Sequence, residues 1–393
     1  MSFESELSVQ HCESDVAGPH VSVILRSLVD ASLPVAAGVV ETQREPIRRS
    51  VQASVPSHQY LHLCPVRICL GILDSVEPHE SLSSLAARNR LTLKQNASNV
   101  AVIGLGSMGF GMASALLEAG HTTWGVDIAE SAMQRFRERG GAAGALNTVA
   151  KELDAVVVVV LNAAQTEQVL FGESGIIPSL KSGAVVIACA TVLPDFARVM
   201  AARCAEADVL YLDAPISGGA VKAAAGALSI MASGSEASFD AAQPVLDATA
   251  QSVFNLGDEA GAGSAMKAVN QLLAGVHIAT MAEALTFGMT QGIDPATFVE
   301  VISQCAGSSW MLENRAPHIV EGDYTPRSSV DIWPKDLGIV LEIARTARFS
   351  APMTAAALQQ FLAASGSGLG AEDDAAVAKV YARNAGITLP GEP

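Results

Sequence analysis

Asn99-Val100-Ala101-Val102-Ile103-Gly104-Leu105-Gly106-Ser107-Met108-Gly109 decides how this chain is read. Four apolar residues, Val100 to Ile103, run straight into a Gly-x-Gly-x-x-Gly spacing, and a helix-forming stretch follows to Ala119. Strand, glycine turn and helix in that order form the context in which the spacing has chemical meaning. Gly104 permits the tight turn, Gly106 lets backbone approach a pyrophosphate, and Gly109 lets helix and strand pack closely. The helix start then presents unpaired N–H groups and the positive end of its dipole to that anion. Gly104, Leu105, Gly106, Ser107, Met108 and Gly109 are therefore expected to line a dinucleotide.

Downstream, apolar runs alternate with helical stretches. The runs are Thr122–Val126, Ala155–Leu161, Ala184–Ala188, Val209–Leu212 and Leu228–Ala232. Continuous rather than alternating apolarity marks strands buried on both faces, as in a parallel sheet covered by helices. The pattern predicts an α/β, Rossmann-type doubly wound sheet over residues 98–262. The second run ends at Asp127, 23 positions after Gly104, where a carboxylate holds the adenosine ribose and repels a 2′-phosphate. That favours NAD. Ligands in such sheets lie outside the carboxyl ends of the strands. The Leu161-Asn162-Ala163-Ala164-Gln165 loop is thus expected to border the cofactor, and Thr191 to lie near the nicotinamide, although Thr191 before Pro194 also reads as a helix cap.

Beyond Gly263 strand signals nearly vanish. Ser264–Gln291 is one long, mostly apolar stretch without Pro, followed by helical stretches at Pro295–Gln304, Pro334–Ala347, Pro352–Ser365 and Ala375–Asn384. Residues 263–393 are expected to form an all-α C-terminal domain for substrate binding and oligomerisation. A helix apolar most of the way round is expected to be buried, which points to a homo-oligomer. No apolar run reaches the roughly 18 residues of a bilayer span, so no membrane partner is expected.

Upstream, residues 1–97 lack either period and are broken by Pro34, Pro46, Pro56, Pro65 and Pro78. They are expected to be a poorly ordered extension. Glu4, Glu6, Glu13 and Asp15 argue against a transit peptide, which is Arg-rich and acid-poor. The formal net charge of −16 disfavours nucleic acid as a partner. The six cysteines form no CxxC pair and read as reduced thiols of a cytoplasmic protein. No His, Cys and carboxylate cluster has ligand spacing, so no metal is expected.

Asp213-Ala214-Pro215-Ile216-Ser217-Gly218-Gly219 follows a strand. Ser217 with the N–H groups of Gly218 and Gly219 could form a concave anion nest for a carboxylate, or an ordinary loop. Lys267, Asn270 and Gln271 stand at i, i+3 and i+4 on the long helix and share one face. Lys267 could be a snorkelling lysine. Alternatively, burial and a cationic ring nearby would lower its pKa and make it a general acid/base. Beyond residue 97 the histidines are His121 at a helix end, His277 ten residues past Lys267, and His318.

Three motifs in this order, Gly104–Gly120 (GLGSMGFGMASALLEAG), Asp213–Gly226 (DAPISGGAVKAAAG) and Gly261–Gln271 (GAGSAMKAVNQ), with Lys335-Asp336-Leu337 as a fourth, resemble the β-hydroxyacid dehydrogenase family of 3-hydroxyisobutyrate dehydrogenase and tartronate semialdehyde reductase. The resemblance spans roughly Asn99–Ile387. It implies Lys267 as the catalytic lysine, substrate contacts from Ser217, Gly218, Gly219 and Asn270, and cofactor contacts from Thr191 and Lys335. The commoner pattern has two Asn after the lysine, whereas Gln271 takes the second place here. Together with Asn162–Gly172, Ala306–Arg315 and Asp323–Asp331, this looks like a branch that oxidises the C2 hydroxyl of a four-carbon sugar acid. Such a substrate needs more hydrogen-bond partners, for which Gln271, Ser308, Ser309 and Asn314 are candidates. Relatives that serve as non-catalytic interaction modules lack the lysine; this chain has it.

Overall fold

The computed structural model describes residues 97–392. The extension expected over residues 1–97 lies, apart from Ala97, outside the described residues.

Five parallel strands, β1 (Asn99–Ile103), β2 (Thr122–Val126), β3 (Ala155–Val158), β4 (Val185–Ala188) and β5 (Leu210–Asp213), form one sheet in the order β2-β1-β3-β4-β5. Register across it aligns Ile103 with Val126 and Val158, Val158 with Ala188, and Ala188 with Asp213. All carboxyl ends therefore share one edge. The side chains explain why these runs are strands: Val100, Val102, Val157, Val185 and Ile187 enter the core on one face. Ala101, Ile103, Val156, Val158, Val186 and Ala188 enter the core on the other. Residues of period two buried on both faces need helices on both sides. These are α1 (Gly109–Glu118), α2 (Glu130–Glu138), α3 (Leu146–Val149), α4 (Ala163–Phe171) and α5 (Pro194–Ala205). The fold is the Rossmann-type doubly wound sheet that the sequence predicts.

The chain then turns at Ala214-Pro215. A second sheet forms from β6 (Ile216–Ser217), β7 (Leu228–Ala232) and β8 (Ala250–Asn255), with α6 (Gly219–Ala224) and α7 (Glu236–Thr249) between the strands. Leu228–Ala232 is thus not a further strand of the five-stranded parallel sheet; it pairs in parallel with β8 in the second one. It pairs antiparallel to β6 and meets the end of β5 by an Asp213–Ser233 bridge.

From Ala262 the chain is helical: α8 (Ala262–Thr290), α9 (Pro295–Ile302), α10 (Trp310–Glu321), α11 (Ile332–Thr346), α12 (Pro352–Ala364) and α13 (Ala378–Ala385). α8 packs against all five of the others, around a core that includes Ile278, Met281, Leu285, Trp333, Leu337 and Phe361. By length and composition α8 could cross a bilayer, which corrects the expectation that no segment reaches that length. Isolated polar residues such as Lys267 and Glu283 break the apolar run without lowering the mean enough. α10 was not expected, because Pro317 lies inside it and proline costs an interior helix one hydrogen bond.

Candidate active site

The glycine turn has the geometry its spacing implies. Gly104 has φ +99°, and a Cβ there would lie 2.2 Å from the Val159 carbonyl oxygen. A Cβ on Gly109 would lie 1.8 Å from the Gly104 oxygen, so the helix start is pressed onto the turn. At Gly106 nothing lies within 4 Å of such an atom: this is bare backbone open to a ligand. The N-terminus of α1 has no side-chain cap, which leaves its donors for an anion. Asp127 is locked beside the turn, its Oδ2 accepting from Leu105 N (2.6 Å) and its Oδ1 from Ala129 N (2.8 Å). A carboxylate has about four acceptor sites, so ribose hydroxyls can still bond to it. These residues fit a dinucleotide.

Because the strands are parallel and in register, the expected site residues that follow them line up along one edge, four cofactor positions and then Ser217 of the substrate set. Asp127 follows β2, Gly104–Gly109 follow β1, Asn162 follows β3, Thr191 follows β4 and Ser217 follows β5. Strand spacing makes β2 to β5 a span of about 19 Å. Asn162 also caps α4, its Oδ1 accepting from Gln165 N at 2.9 Å. Thr191 is not a cap: that position before α5 belongs to Leu193, without a side-chain bond.

The far end of this edge holds Lys267. It is 8% exposed, and its Nζ donates to the Ile216 carbonyl at 2.8 Å. The amine is therefore tied to the residue that precedes Ser217-Gly218-Gly219. Gly218 and Gly219 have φ +136° and +78°, and a Cβ on Gly219 would meet nothing within 4 Å. Both values lie where a side chain is disfavoured, so the turn depends on its two glycines, and the Gly219 backbone is open to a ligand. Burial pulls the Lys267 pKa down to about 8; Asp336 opposes this and Lys335 adds to it.

What sequence reasoning missed is how α8 is anchored. Asp213, at the end of β5, accepts from Gly261 N (2.9 Å), Ser264 N (2.8 Å) and Ser264 Oγ (2.7 Å). It caps the helix that carries Lys267 one turn further on. Burial raises its pKa and these hydrogen bonds counter the rise. The signal was a carboxylate ending a buried strand, paired with a Gly-Ala-Gly-Ser helix start. A second missed carboxylate, Asp336, accepts from Gln271 Nε2 at 2.5 Å and from Lys335 Nζ. Gln271 Oε1 accepts from Asn270 Nδ2 at 2.9 Å. Lys267, Asn270, Gln271 and Lys335 are thus brought together.

Other candidates are engaged elsewhere. His318 pairs with Asp373 in the helical core, His121 accepts from Ser98 N, and His277 lies about 15 Å along the helix from Lys267. Ser309 caps α10 and Ser308 donates to Glu313. Asn314 accepts from Arg315. Cys189 and Cys204 are buried thiols pushed up to about 12, unsuited to nucleophilic chemistry.

Comparison with known proteins matches both the sheet region and the helical region of the chain. The profile for the NAD binding domain of 6-phosphogluconate dehydrogenase matches residues 99–257. That for the NAD-binding domain of NADP-dependent 3-hydroxyisobutyrate dehydrogenase matches residues 261–381. L-threonate dehydrogenase of Cupriavidus necator is 49% identical over 75% of this chain and 98% of its own length. The chain belongs to the 3-hydroxyisobutyrate dehydrogenase-like family. L-threonate dehydrogenase of Escherichia coli K12 is 47% identical over 75% of the chain and 97% of its length. A crystal structure titled 3-hydroxyisobutyrate dehydrogenase, from Salmonella typhimurium, is 47% identical. It covers 72% of this chain and 99% of the other, with a TM-score of 0.69.

As a member of that family the chain is an oxidoreductase whose cofactor is NAD and whose substrate is a small hydroxy acid. Bound on the glycine turn, NAD supplies the acceptor for a hydride. What the fold adds is placement: the buried Lys267 amine and the Ser217-Gly218-Gly219 turn lie at the same end of the sheet edge. A lysine with a pKa of about 8 is partly neutral near physiological pH, which lets it take a hydroxyl proton.

Proposed function

We propose that this protein oxidises the C2 hydroxyl of L-threonate to 2-oxotetronate (2-dehydro-L-erythronate) with NAD, a step in breaking down four-carbon acid sugars. The observation that carries this is 46–49% identity to five L-threonate dehydrogenases along at least 95% of their length. Lys267 takes the O2 proton, and bound NAD would accept the hydride that leaves C2. The Ser217-Gly218-Gly219 nest holds the substrate carboxylate, and Asn270 bonds a hydroxyl, with Gln271 behind it. Gly104–Gly109, Asp127, Asn162, Thr191 and Lys335 hold the cofactor. Residues 98–262 act as the nucleotide domain and 263–393 as the substrate and oligomerisation domain.

The Salmonella relative's title favours a second reading, 3-hydroxyisobutyrate oxidation, with tartronate semialdehyde reduction beside it. Purified enzyme with NAD and a panel of L-threonate, D-erythronate, glycerate and 3-hydroxyisobutyrate separates them. The highest kcat/KM is expected for L-threonate. Glycerate or 3-hydroxyisobutyrate in first place would overturn the substrate and leave the family intact.

The same reading makes the protein a cytoplasmic homo-oligomer that needs neither membrane nor nucleic acid. Met266, Val269 and Leu273 are exposed at i, i+3 and i+7 on α8, an apolar stripe suited to a second copy of the chain. Analytical ultracentrifugation is expected to give a multiple of 40.5 kDa, and Leu273→Glu to reduce it to one copy. A wild-type monomer would contradict this.

A further inference from the structure

We propose that Asp336 is a positioning residue of the reaction: one buried carboxylate that holds Gln271 and Lys335 and, through Gln271, sets the Asn270 amide beside Lys267. This deepens the reading of Lys267 as the base and rests on it.

The geometry is a relay. Asp336 is 2% exposed, at the start of the second turn of α11. Its Oδ2 accepts from Gln271 Nε2 and its Oδ1 from Lys335 Nζ. Gln271 is itself buried, and its other amide end, Oε1, accepts from Asn270 Nδ2. Both ends of Gln271 are therefore engaged within the protein, so its part in recognition runs through Asn270. An amide that gives one N–H to Gln271 keeps one N–H and its carbonyl oxygen for a ligand. The flip of Asn270, otherwise free, is thereby decided. Close packing makes the reach possible: a Cβ on Gly275, one turn past Gln271, would lie 2.8 Å from Leu337 and 2.9 Å from Trp333. α11 can lie against α8 only because residue 275 has no side chain. The Trp333 position is fixed in turn by its Nε1, which donates to Asp374 at 3.0 Å, and by its stacking on Phe361. A shorter Asn at position 271 would fall short of Asp336 by about 1.5 Å, one C–C bond.

The same carboxylate acts on charge. Lys267 faces Asp336 and Lys335 on α11 and the uncharged Ile216 carbonyl on β6. Burial is the largest influence on the amine and Asp336 works against it. Without the negative charge, the ammonium form is less favoured and the amine deprotonates at lower pH.

Two substitutions separate orientation from charge. Asp336→Asn keeps size and an acceptor but removes the charge. Gln271→Asn keeps the charge but breaks the relay. With L-threonate, or the panel acid that turns over best, Asp336→Asn is expected to move the acid limb of kcat/KM down by about one pH unit. Gln271→Asn is expected to raise KM about tenfold and leave that limb in place. A purely structural role would lower the melting temperature and leave the limb unmoved. An unmoved limb in Asp336→Asn, or an unchanged KM in Gln271→Asn, overturns the proposal; the second holds even if Asp336→Asn does not fold. Lys267→Ala, assayed alongside, distinguishes the failures. If it retains wild-type turnover, the base assignment is wrong. If it is inactive while the other variants behave as wild type, the role of Asp336 alone is wrong.

Discussion

Lys267→Ala is expected to lower kcat for hydroxy-acid oxidation by about 10²- to 10⁴-fold, the usual contribution of a positioned general base, with NAD still bound. The residue sits at the far end of the sheet edge from Asp127, and its hydrogen bond goes to Ile216 on β6, whereas Asp127 bonds the glycine turn at Leu105. Its loss leaves the cofactor's anchoring groups in place. It also removes a buried amine whose hydrogen bond goes to the Ile216 carbonyl, so a modest loss of stability accompanies the substitution. Lys267→Met, which fills the same space without a proton acceptor, is expected to match the alanine variant in kcat and exceed it in stability. NADH absorbance for turnover and calorimetry for NAD affinity measure the two effects separately. Activity within tenfold of wild type in both variants would mean that another group takes the proton.

Gly104→Ala is the second large effect, and it falls on cofactor binding and folding together. A side chain at φ +99° is strained by about 1–3 kcal/mol. The added methyl would also sit 2.2 Å from the Val159 carbonyl oxygen, where β3 leaves the sheet. Backbone cannot yield as a flexible side chain can, and overpacking of this kind adds about 1–3 kcal/mol. The combined loss of about 2–6 kcal/mol is comparable with the whole stability of many domains. Circular dichroism melting is expected to show a large fall in Tm, and NAD affinity to drop with it. Gly106→Ala is the control: with open space around that position, its Tm is expected to stay near wild type, while NAD affinity falls because the methyl points where the ligand approaches. A Gly104→Ala protein with an unchanged Tm would contradict this account of the turn.

How much could be read from residues alone follows from the kind of signal each carries. The buried strands announce themselves because Val100–Ile103 and Val185–Ala188 are apolar on both faces, a pattern that local sequence contains in full. β8 does not, since Ala250–Asn255 is mostly exposed and half polar. Its strand state comes from pairing with β7, a partner distant in the chain. α10 was hidden by Pro317, whose cost is met by packing of Leu312, Ala316 and Ile319 in the helical core. At the site, Lys267, Asn270 and Gln271 were legible as one helix face because spacing of three and four suffices. Asp213 and Asp336 were not. Each acts across 51 and 65 residues, on Ser264 and Gln271 respectively, and no local period reports such a contact. Gln271 shows the difference most clearly. Its type pointed to recognition of a hydroxyl, and only the structure shows both amide ends turned to Asp336 and Asn270.

The central claim is that a buried, deprotonatable amine at Lys267 takes the substrate proton. The pH dependence of kcat/KM for oxidation tests it most directly. Because burial lowers this amine to about 8, and the base must be neutral to act, kcat/KM is expected to fall about tenfold per pH unit below that value and to level off above it. A profile flat down to pH 6, or a limb near the ordinary histidine value of about 6.5, would contradict it.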